Sequence, residues 1–176
     1  MKILIIEDKP KHLLTAKLFA EESGHDVTIV TNYKEAEKAL CGDRDMHFGR
    51  TFNQQYDVVL TDLLLPSSSE GQADKSSKGE MPYGVIFILL AMRIGVKHIA
   101  LLTDGNHHNH PFIWAIDPLI GSGNGTPFSL GDVKLLFSSN SFIYSDWEGS
   151  SFNVPKDDPR DGSKAWELLL NELLVK

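Results

Sequence analysis

The chain is 176 residues long, which is typical of a single domain. It carries 17 Lys and Arg against 24 Asp and Glu, so its net charge of −7 argues against nucleic acid as a partner. Its one cysteine, Cys41, excludes an internal disulfide and fits a reducing cytosol, so we expect a cytoplasmic protein. The longest apolar run, Val85 to Met92, is too short to span a bilayer, and we expect no membrane partner.

Short apolar runs alternate with segments of helical pattern along the chain. The predicted strands are Lys2–Ile6, Asp26–Val30, Asp57–Thr61, His98–Thr103 and Val133–Phe137. The predicted helices are Pro10–Glu22 (inner face Leu13, Leu14, Ala16, Leu18 and Ala20), Tyr33–Leu40, Val85–Ile94, a short one from Pro111 to before Pro118, and 163–175 with Ser163 as N-cap. This alternation predicts an α/β fold, a five-stranded parallel doubly wound sheet with helices on both faces.

Two segments interrupt the pattern. Residues 67–81 are rich in Ser, Gly and Lys and have no periodicity, so we predict a long mobile loop that could act as a lid. Residues 138–163 are rich in Ser, Asn, Asp and Pro, and we predict irregular structure there. We take residues 1–176 as a single domain with both segments inside it.

Acidic residues follow two of the predicted strands. Glu7 and Asp8 come directly after the first strand, and Asp62 comes directly after the third. The carboxyl ends of neighbouring parallel strands meet at one edge of a sheet, where such folds bind ligands. Three oxygen acids in one small volume suit a hard cation such as Mg²⁺. An alternative interpretation is that these acids only cap the helices that follow.

Four segments resemble the receiver domain of two-component response regulators. ILIIEDKP (3–10) is similar to the receiver's first strand and acidic pair, and DVVLTDLLLP (57–66) is similar to the segment around its phosphoacceptor. MPYG (81–84) resembles the lead into the third helix, displaced by an insertion, and IALLTD (99–104) resembles the fourth strand. The resemblance covers residues 1–105 well and the remainder only in outline. It implies a flavodoxin-like fold.

The resemblance also implies a chemistry, residue by residue. Asp62 would accept a phosphoryl group from a sensor histidine kinase or a phosphotransfer protein and become an acyl phosphate. Glu7, Asp8, Asp62 and the backbone carbonyl of Leu64 would hold Mg²⁺. The hydroxyl of Thr103 would be the switch that bonds the phosphoryl oxygen.

The fifth predicted strand departs from the family pattern. Receivers place a lysine at the end of this strand, where its ammonium pairs with the phosphoryl group. Here the strand reads DVKLLFSSN (132–140), and Lys134 lies near its beginning. Phe137 is a candidate for the aromatic residue that changes rotamer on activation. Without the lysine, phosphotransfer competence is open.

A histidine cluster follows the fourth predicted strand, on the same edge as the acids. His107, His108 and His110 lie in the segment TDGNHHNHP (103–111). Imidazoles beside carboxylates suit Zn²⁺ or Mn²⁺, although the ligand spacing is not a recognised one. A protonated histidine could also replace the missing lysine. The alternative is a polar loop whose histidines face water.

Three functions remain open. The first is a stand-alone receiver-like signalling protein, phosphorylated at Asp62 with Mg²⁺, whose last helix ends the chain and whose output is contact with another protein or with a second copy of itself. The second is a pseudo-receiver that works unphosphorylated as a binding module. The third is a small metal-dependent hydrolase or phosphatase that uses the acids and the histidines, so whether the chain is an enzyme is open.

Overall fold

A computed structural model of the protein describes residues 1–42, 55–68, 80–105, 111–120, 125–147 and 152–175. The strands are β1 (Lys2–Ile6), β2 (Asp26–Val30), β3 (Val58–Thr61), β4 (Leu65–Pro66), β5 (Glu80–Met81), β6 (His98–Thr103), β7 (Phe128–Leu130) and β8 (Val133–Ser139). The helices are α1 (Pro10–Glu22), α2 (Tyr33–Cys41), α3 (Tyr83–Arg93), α4 (Pro111–Ile120) and α5 (Trp166–Leu174). None of the described helices has the length and apolar character needed to cross a membrane.

The main sheet has six strands in the order β2-β1-β3-β6-β8-β7. The first five are parallel and follow the order of flavodoxin-like sheets, so the predicted fold class is confirmed. The sixth strand, β7, was not predicted and pairs antiparallel with β8. A two-residue loop with Gly131 at φ +63° joins them, and Gly-Asp between two short strands is a recognised hairpin pattern.

The helices cover both faces of the sheet. α1 and α5 pack with Ile3, Ile5, Leu60 and Leu102 on one face, and α2, α3 and α4 pack with the alternate residues of the strands on the other. The inner face predicted for α1 is wrong in part. Its buried residues are His12, Thr15, Ala16 and Phe19, whereas Leu14 is 41% exposed. Two polar residues can lie inside because both are hydrogen-bonded.

The last helix begins three residues later than predicted. α5 starts at Trp166 with Ala165 as N-cap, so Ser163 is not the cap, and its buried Oγ has no hydrogen-bond partner among the described residues. The cause is that the backbone of residues 162–165 hydrogen-bonds to the backbone of 142–144 and is not part of the helix. β8 continues to Ser139, which shortens the irregular segment at its beginning.

The insertion after β3 is closed at its base. Its last residues form β5, which pairs antiparallel with β4 through Leu65–Met81 and Pro66–Glu80. Residues 69–79, and with them most of the predicted loop and its suggested role as a lid, lie outside the described residues.

Candidate functional site

The three acids meet at the carboxyl edge of the sheet because β1 and β3 are neighbours in register. Ile6 is paired with Thr61, and the backbone N–H of Asp62 donates to the carbonyl of Ile6 at 2.8 Å. Glu7 and Asp62 therefore end the two strands side by side. Ligand oxygens of Glu7, Asp8 and Asp62 all lie within 4.8 Å of one another.

A lysine that the sequence analysis did not single out lies among these acids. The Nζ atom of Lys164 is 2.5 Å from Oε2 of Glu7 and 2.9 Å from Oδ1 of Asp62. All three side chains are fully buried. The end of β8 itself carries no lysine, in line with the sequence, and the ammonium reaches the site from the segment before α5.

Backbone pairing after β8 brings Lys164 to the site. Ile143 forms an antiparallel bridge with Lys164. On either side of it, the N–H of Ala165 donates to the carbonyl of Phe142 at 2.8 Å, and the N–H of Tyr144 donates to the carbonyl of Ser163 at 2.9 Å. The side chain of Phe142 is buried in the core that α5 helps to form. Residues 163–165 thus lie beside residues 142–144, which follow β8 in the chain.

The sequence contains one signal that could have pointed to Lys164. It lies two residues before α5, the helix with the clearest apolar stripe, in a segment otherwise rich in Ser, Asn, Asp and Pro. A lysine directly before a buried helix lies close to the core. Nothing in the local pattern shows that Ile143 and Lys164 pair with each other, and that pairing decides where the Lys164 ammonium lies.

The site is rich in negative charge. The Lys164 ammonium contacts the carboxylates of Glu7 and Asp62, and a carboxylate oxygen of Asp8 lies within 4.8 Å of theirs. Burial raises the pKa of Glu7, and the nearby Asp62 raises it further, while Lys164 opposes both. Burial and the two neighbouring acids raise the pKa of Asp8 to about 7. Burial works against the charge of Lys164, but the surrounding carboxylates outweigh it and raise its pKa.

Two oxygens of the cluster are open to a cation. Oδ1 of Asp8 and Oδ2 of Asp62 are buried and have no hydrogen-bond partner in the described part of the chain. The oxygens of Glu7 are already used, because Oε1 accepts from the backbone N–H groups of Asp8 at 3.1 Å and Lys9 at 3.0 Å, and Oε2 accepts from Lys164. Unpartnered carboxylate oxygens in an acidic pocket fit Mg²⁺.

Gly84 lets the start of α3 approach the segment that follows β3. Its N–H donates to the carbonyl of Leu63 at 3.0 Å. A Cβ at this position would lie 2.2 Å from the carbonyl oxygen of Asp62 and 2.8 Å from Cα of Leu63. Only glycine fits this close contact, which explains the glycine of the MPYG segment physically. Leu64, whose carbonyl the resemblance assigns to the metal, lies buried in this same turn.

Thr103 and Phe137 lie on the adjoining strands. Thr103 ends β6, is 1% exposed, and its Oγ1 accepts from the N–H of Gly105 at 3.1 Å. Phe137 is paired with Leu101 in the sheet, is buried, and stacks on Phe128 with ring centroids 5.7 Å apart. The unpredicted strand β7 therefore covers the aromatic side chain proposed to move on activation.

A second charged network adjoins the site. Asp104, directly after β6, contacts the ammonium of Lys9 through Oδ1 and Nε2 of His12 through Oδ2, the latter at 3.1 Å. Burial opposes ionisation of Asp104, but His12, Lys164 and Lys9 together hold its pKa far below the usual range. His107, His108 and His110 lie outside the described residues, so the proposed histidine site stays a prediction.

Comparison with known proteins gives limited matches. No protein-family profile matches the chain. A curated relative, "Probable histidine kinase 1" of Oryza sativa subsp. indica, is 34% identical over 74 residues, which are 42% of this chain and 6% of that protein. The chain thus spans a small part of the kinase's length. The sequence match joins the motifs and the strand order in supporting the resemblance: the chain is similar to a divergent receiver domain.

One solved structure that the chain matches is the N-terminal domain of a response regulator/sensory box/GGDEF 3-domain protein from Carboxydothermus hydrogenoformans. It is 22% identical, with a TM-score of 0.39, and the match covers 60% of this chain and 66% of that chain. The strand order of this protein itself identifies its fold.

Proposed function

We propose that this chain is a single receiver-like signalling domain in which Asp62 accepts a phosphoryl group from a histidine kinase or a phosphotransfer protein. The observation that carries the proposal is the buried contact of Lys164 with Glu7 and Asp62. A fixed ammonium beside a carboxylate stabilises the negative charge that a phosphoryl group brings. Lys164 would therefore do the work of the lysine that the fifth parallel strand lacks.

The two carboxylate oxygens of Asp62 have different surroundings. Oδ1 accepts from the N–H of Leu63 at 2.8 Å and contacts Lys164, whereas Oδ2 has no partner among the described residues. In the transfer, an oxygen of Asp62 forms a bond to phosphorus while the bond from phosphorus to the donor atom breaks, and the electron pair leaves with the donor. The product is an acyl phosphate on Asp62.

Asp8 and Asp62 would hold Mg²⁺ through their unpartnered oxygens, with the carbonyl of Leu64 as the further ligand that the resemblance implies. When bound, the ion neutralises charge on the phosphoryl oxygens. We assign Glu7 a different task from that of a ligand. Its two oxygens hold the backbone at the end of β1 and the ammonium of Lys164, so it keeps that ammonium beside Asp62.

Thr103 would act as the switch hydroxyl, because it is buried at the end of the strand next to β3. In the unphosphorylated protein its Oγ1 accepts from Gly105, so forming a new bond to the phosphoryl group changes the start of the segment after β6. Output would then occur by contact with another protein.

The proposal is tested by intact mass after incubation with Mg²⁺ and acetyl phosphate. We expect the wild-type protein to gain one phosphoryl group and Asp62→Asn to gain none. Lys164→Met should slow the gain by at least about tenfold, since it removes the charge that stabilises the transferred group. Lys156→Met, which removes an exposed lysine of the same segment, is the matched control and should behave as wild type. A wild-type protein that binds Mg²⁺ but gains no mass contradicts the proposal.

The alternative of an unphosphorylated binding module drew its support from the lysine missing at the end of the fifth parallel strand. Lys164 supplies an ammonium to Asp62, so that argument no longer favours the alternative. The hydrolase alternative depends on His107, His108 and His110, and no observation on the described residues favours it.

A further inference from the structure

We propose that His12 is a positioning residue that fixes Lys164 beside Asp62 and ties it to Asp104 at the end of β6. The inference rests on the proposed function, because it concerns how the phosphorylation site is held together. His12 is on α1, 2% exposed, and far in sequence from both residues that it joins. Nothing in the receiver-like motifs of the sequence marks this position.

Both ring nitrogens of His12 are engaged. Nδ1 lies 3.3 Å from the backbone N of Lys164, and Nε2 lies 3.1 Å from Oδ2 of Asp104. Because a backbone N–H can only donate, Nδ1 must be the unprotonated acceptor, and Nε2 then carries the hydrogen that is donated to Asp104. The neighbours thus select one tautomer, with Nε2 protonated.

The backbone of His12 strengthens the same connection. Its carbonyl oxygen accepts from Nε1 of Trp166 at 3.1 Å and from Oγ1 of Thr15 at 3.0 Å. Trp166 is the first residue of α5, two positions after Lys164, and its ring lies 5.4 Å from the Lys164 ammonium. One residue of α1 therefore holds the backbone of Lys164 and the indole that follows it.

Lys164 needs the hydrogen bond to His12 because it does not lie on a strand of the sheet. A lysine on the end of a strand would be held in place by the sheet, but Lys164 follows an excursion of the chain and is held by a single antiparallel bridge, to Ile143. Its side chain has many rotamers, and fixing it between two carboxylates requires a fixed backbone. The hydrogen bond from Lys164 to His12 fixes that backbone from the α1 side.

His12 also connects the backbone of Lys164 to Asp104. Asp104 follows Thr103 directly, and it contacts both His12 and Lys9. A movement of Thr103 toward a phosphoryl group shifts Asp104, and His12 transmits that shift to the backbone of Lys164. In this way the imidazole of His12 joins Thr103, the proposed switch hydroxyl, to Lys164, the proposed partner of the phosphoryl group.

Two substitutions remove the two hydrogen bonds of the His12 imidazole one at a time. His12→Asn places an amide oxygen at the distance of Nδ1 from the backbone and keeps the acceptor for Lys164. His12→Gln places an amide NH₂ at the distance of Nε2 and keeps the donor for Asp104. We measure hydrogen exchange at the Lys164 amide and the rate of phosphorylation by acetyl phosphate in both. His12→Gln should speed the exchange and slow phosphorylation, each by about tenfold, and His12→Asn should stay near the wild type in both.

Equal effects of the two substitutions, or a wild-type rate and exchange in His12→Gln, would overturn the inference. The wild-type protein offers a test that needs no variant. The ¹⁵N shifts of the His12 ring should show Nε2 protonated and Nδ1 unprotonated, with a coupling from the Lys164 amide to Nδ1, and a protonated Nδ1 would contradict the inference. Exchange and ring shifts do not depend on phosphorylation, so they distinguish failure of this inference from failure of the proposed function.

Discussion

The site is assembled from two regions that reach it in different ways. In the first region, residues 2–105, the acids come at the ends of two buried strands, as Glu7 follows Ile6 and Asp62 follows Thr61. In the second region, residues 140–165, the chain contributes Lys164 through backbone contacts between segments that are neither strand nor helix. The strand ends fix the positions of the acids almost by themselves, whereas the position of the lysine depends on packing across the molecule.

This difference predicts where the metal-free protein is most sensitive to substitution. The sheet positions the acids whether or not a counter-ion is present, so their mutual repulsion and burial act against folding unless the second region supplies its charge. Lys164 is the described cation in direct contact with both Glu7 and Asp62. The second region therefore stabilises the first, although the acids belong to the more regular part of the fold.

The largest expected effect comes from Lys164→Met. It leaves the carboxylates of Glu7 and Asp62 buried without their cation, which should lower the free energy of unfolding by about 3–5 kcal/mol at neutral pH. Urea denaturation without divalent ions measures this loss, and added Mg²⁺ should restore part of it by binding the acids. A variant as stable as the wild type would show that the two regions are energetically independent.

Gly84→Ala tests the first region and should lower the free energy of unfolding by less than Lys164→Met does. The added Cβ would meet the backbone of Asp62 and Leu63, which can move only if the segment after β3 moves, and we expect a loss of about 1–3 kcal/mol. Gly105→Ala is the comparison, because its Cβ would meet mainly the end of the Ile113 side chain, which can change rotamer. Equal unfolding midpoints for the two variants would contradict the close contact at Gly84.

The features that can be predicted from the sequence belong mainly to the first region, and those that cannot belong mainly to the second. The parallel strands have continuous apolar runs, so their order in the chain and the acids that end them can be read from local pattern. The hairpin of β7 is absent from the predicted strands because Phe128–Leu130 is only three residues long and has no buried residue, so no periodicity marks it. Its Gly-Asp loop was the one local signal.

Ser163 shows the limit of local capping rules. A serine before an apolar stripe predicts an N-cap, but here the backbone around Ser163 is hydrogen-bonded to the backbone of Phe142 and Tyr144. The tertiary contacts of residues 142–145 outweigh the capping preference, and they also bring Lys164 to Asp62. The same long-range pairing thus explains the wrong helix start and the missed lysine.

The smallest effect is expected for an ion pair that has the same chemistry as the Lys164 contacts but lies at the surface. Lys97 contacts Asp132 next to the β7–β8 hairpin, and the two side chains are 46% and 77% exposed. In water the attraction of such a pair is offset by its solvation and by the ordering of two mobile side chains.

Lys97→Met should therefore leave the midpoint of thermal unfolding unchanged within error, both at low salt and at about 1 M NaCl, where exposed charges are screened. Lys164→Met should keep its large effect at both salt concentrations, because its partners are out of contact with solvent ions. If removing Lys97 cost as much as removing Lys164, burial would not be the cause of the difference. The contrast between two Lys-to-Met substitutions in one chain thus isolates what the buried position of Lys164 adds to an ordinary ion pair.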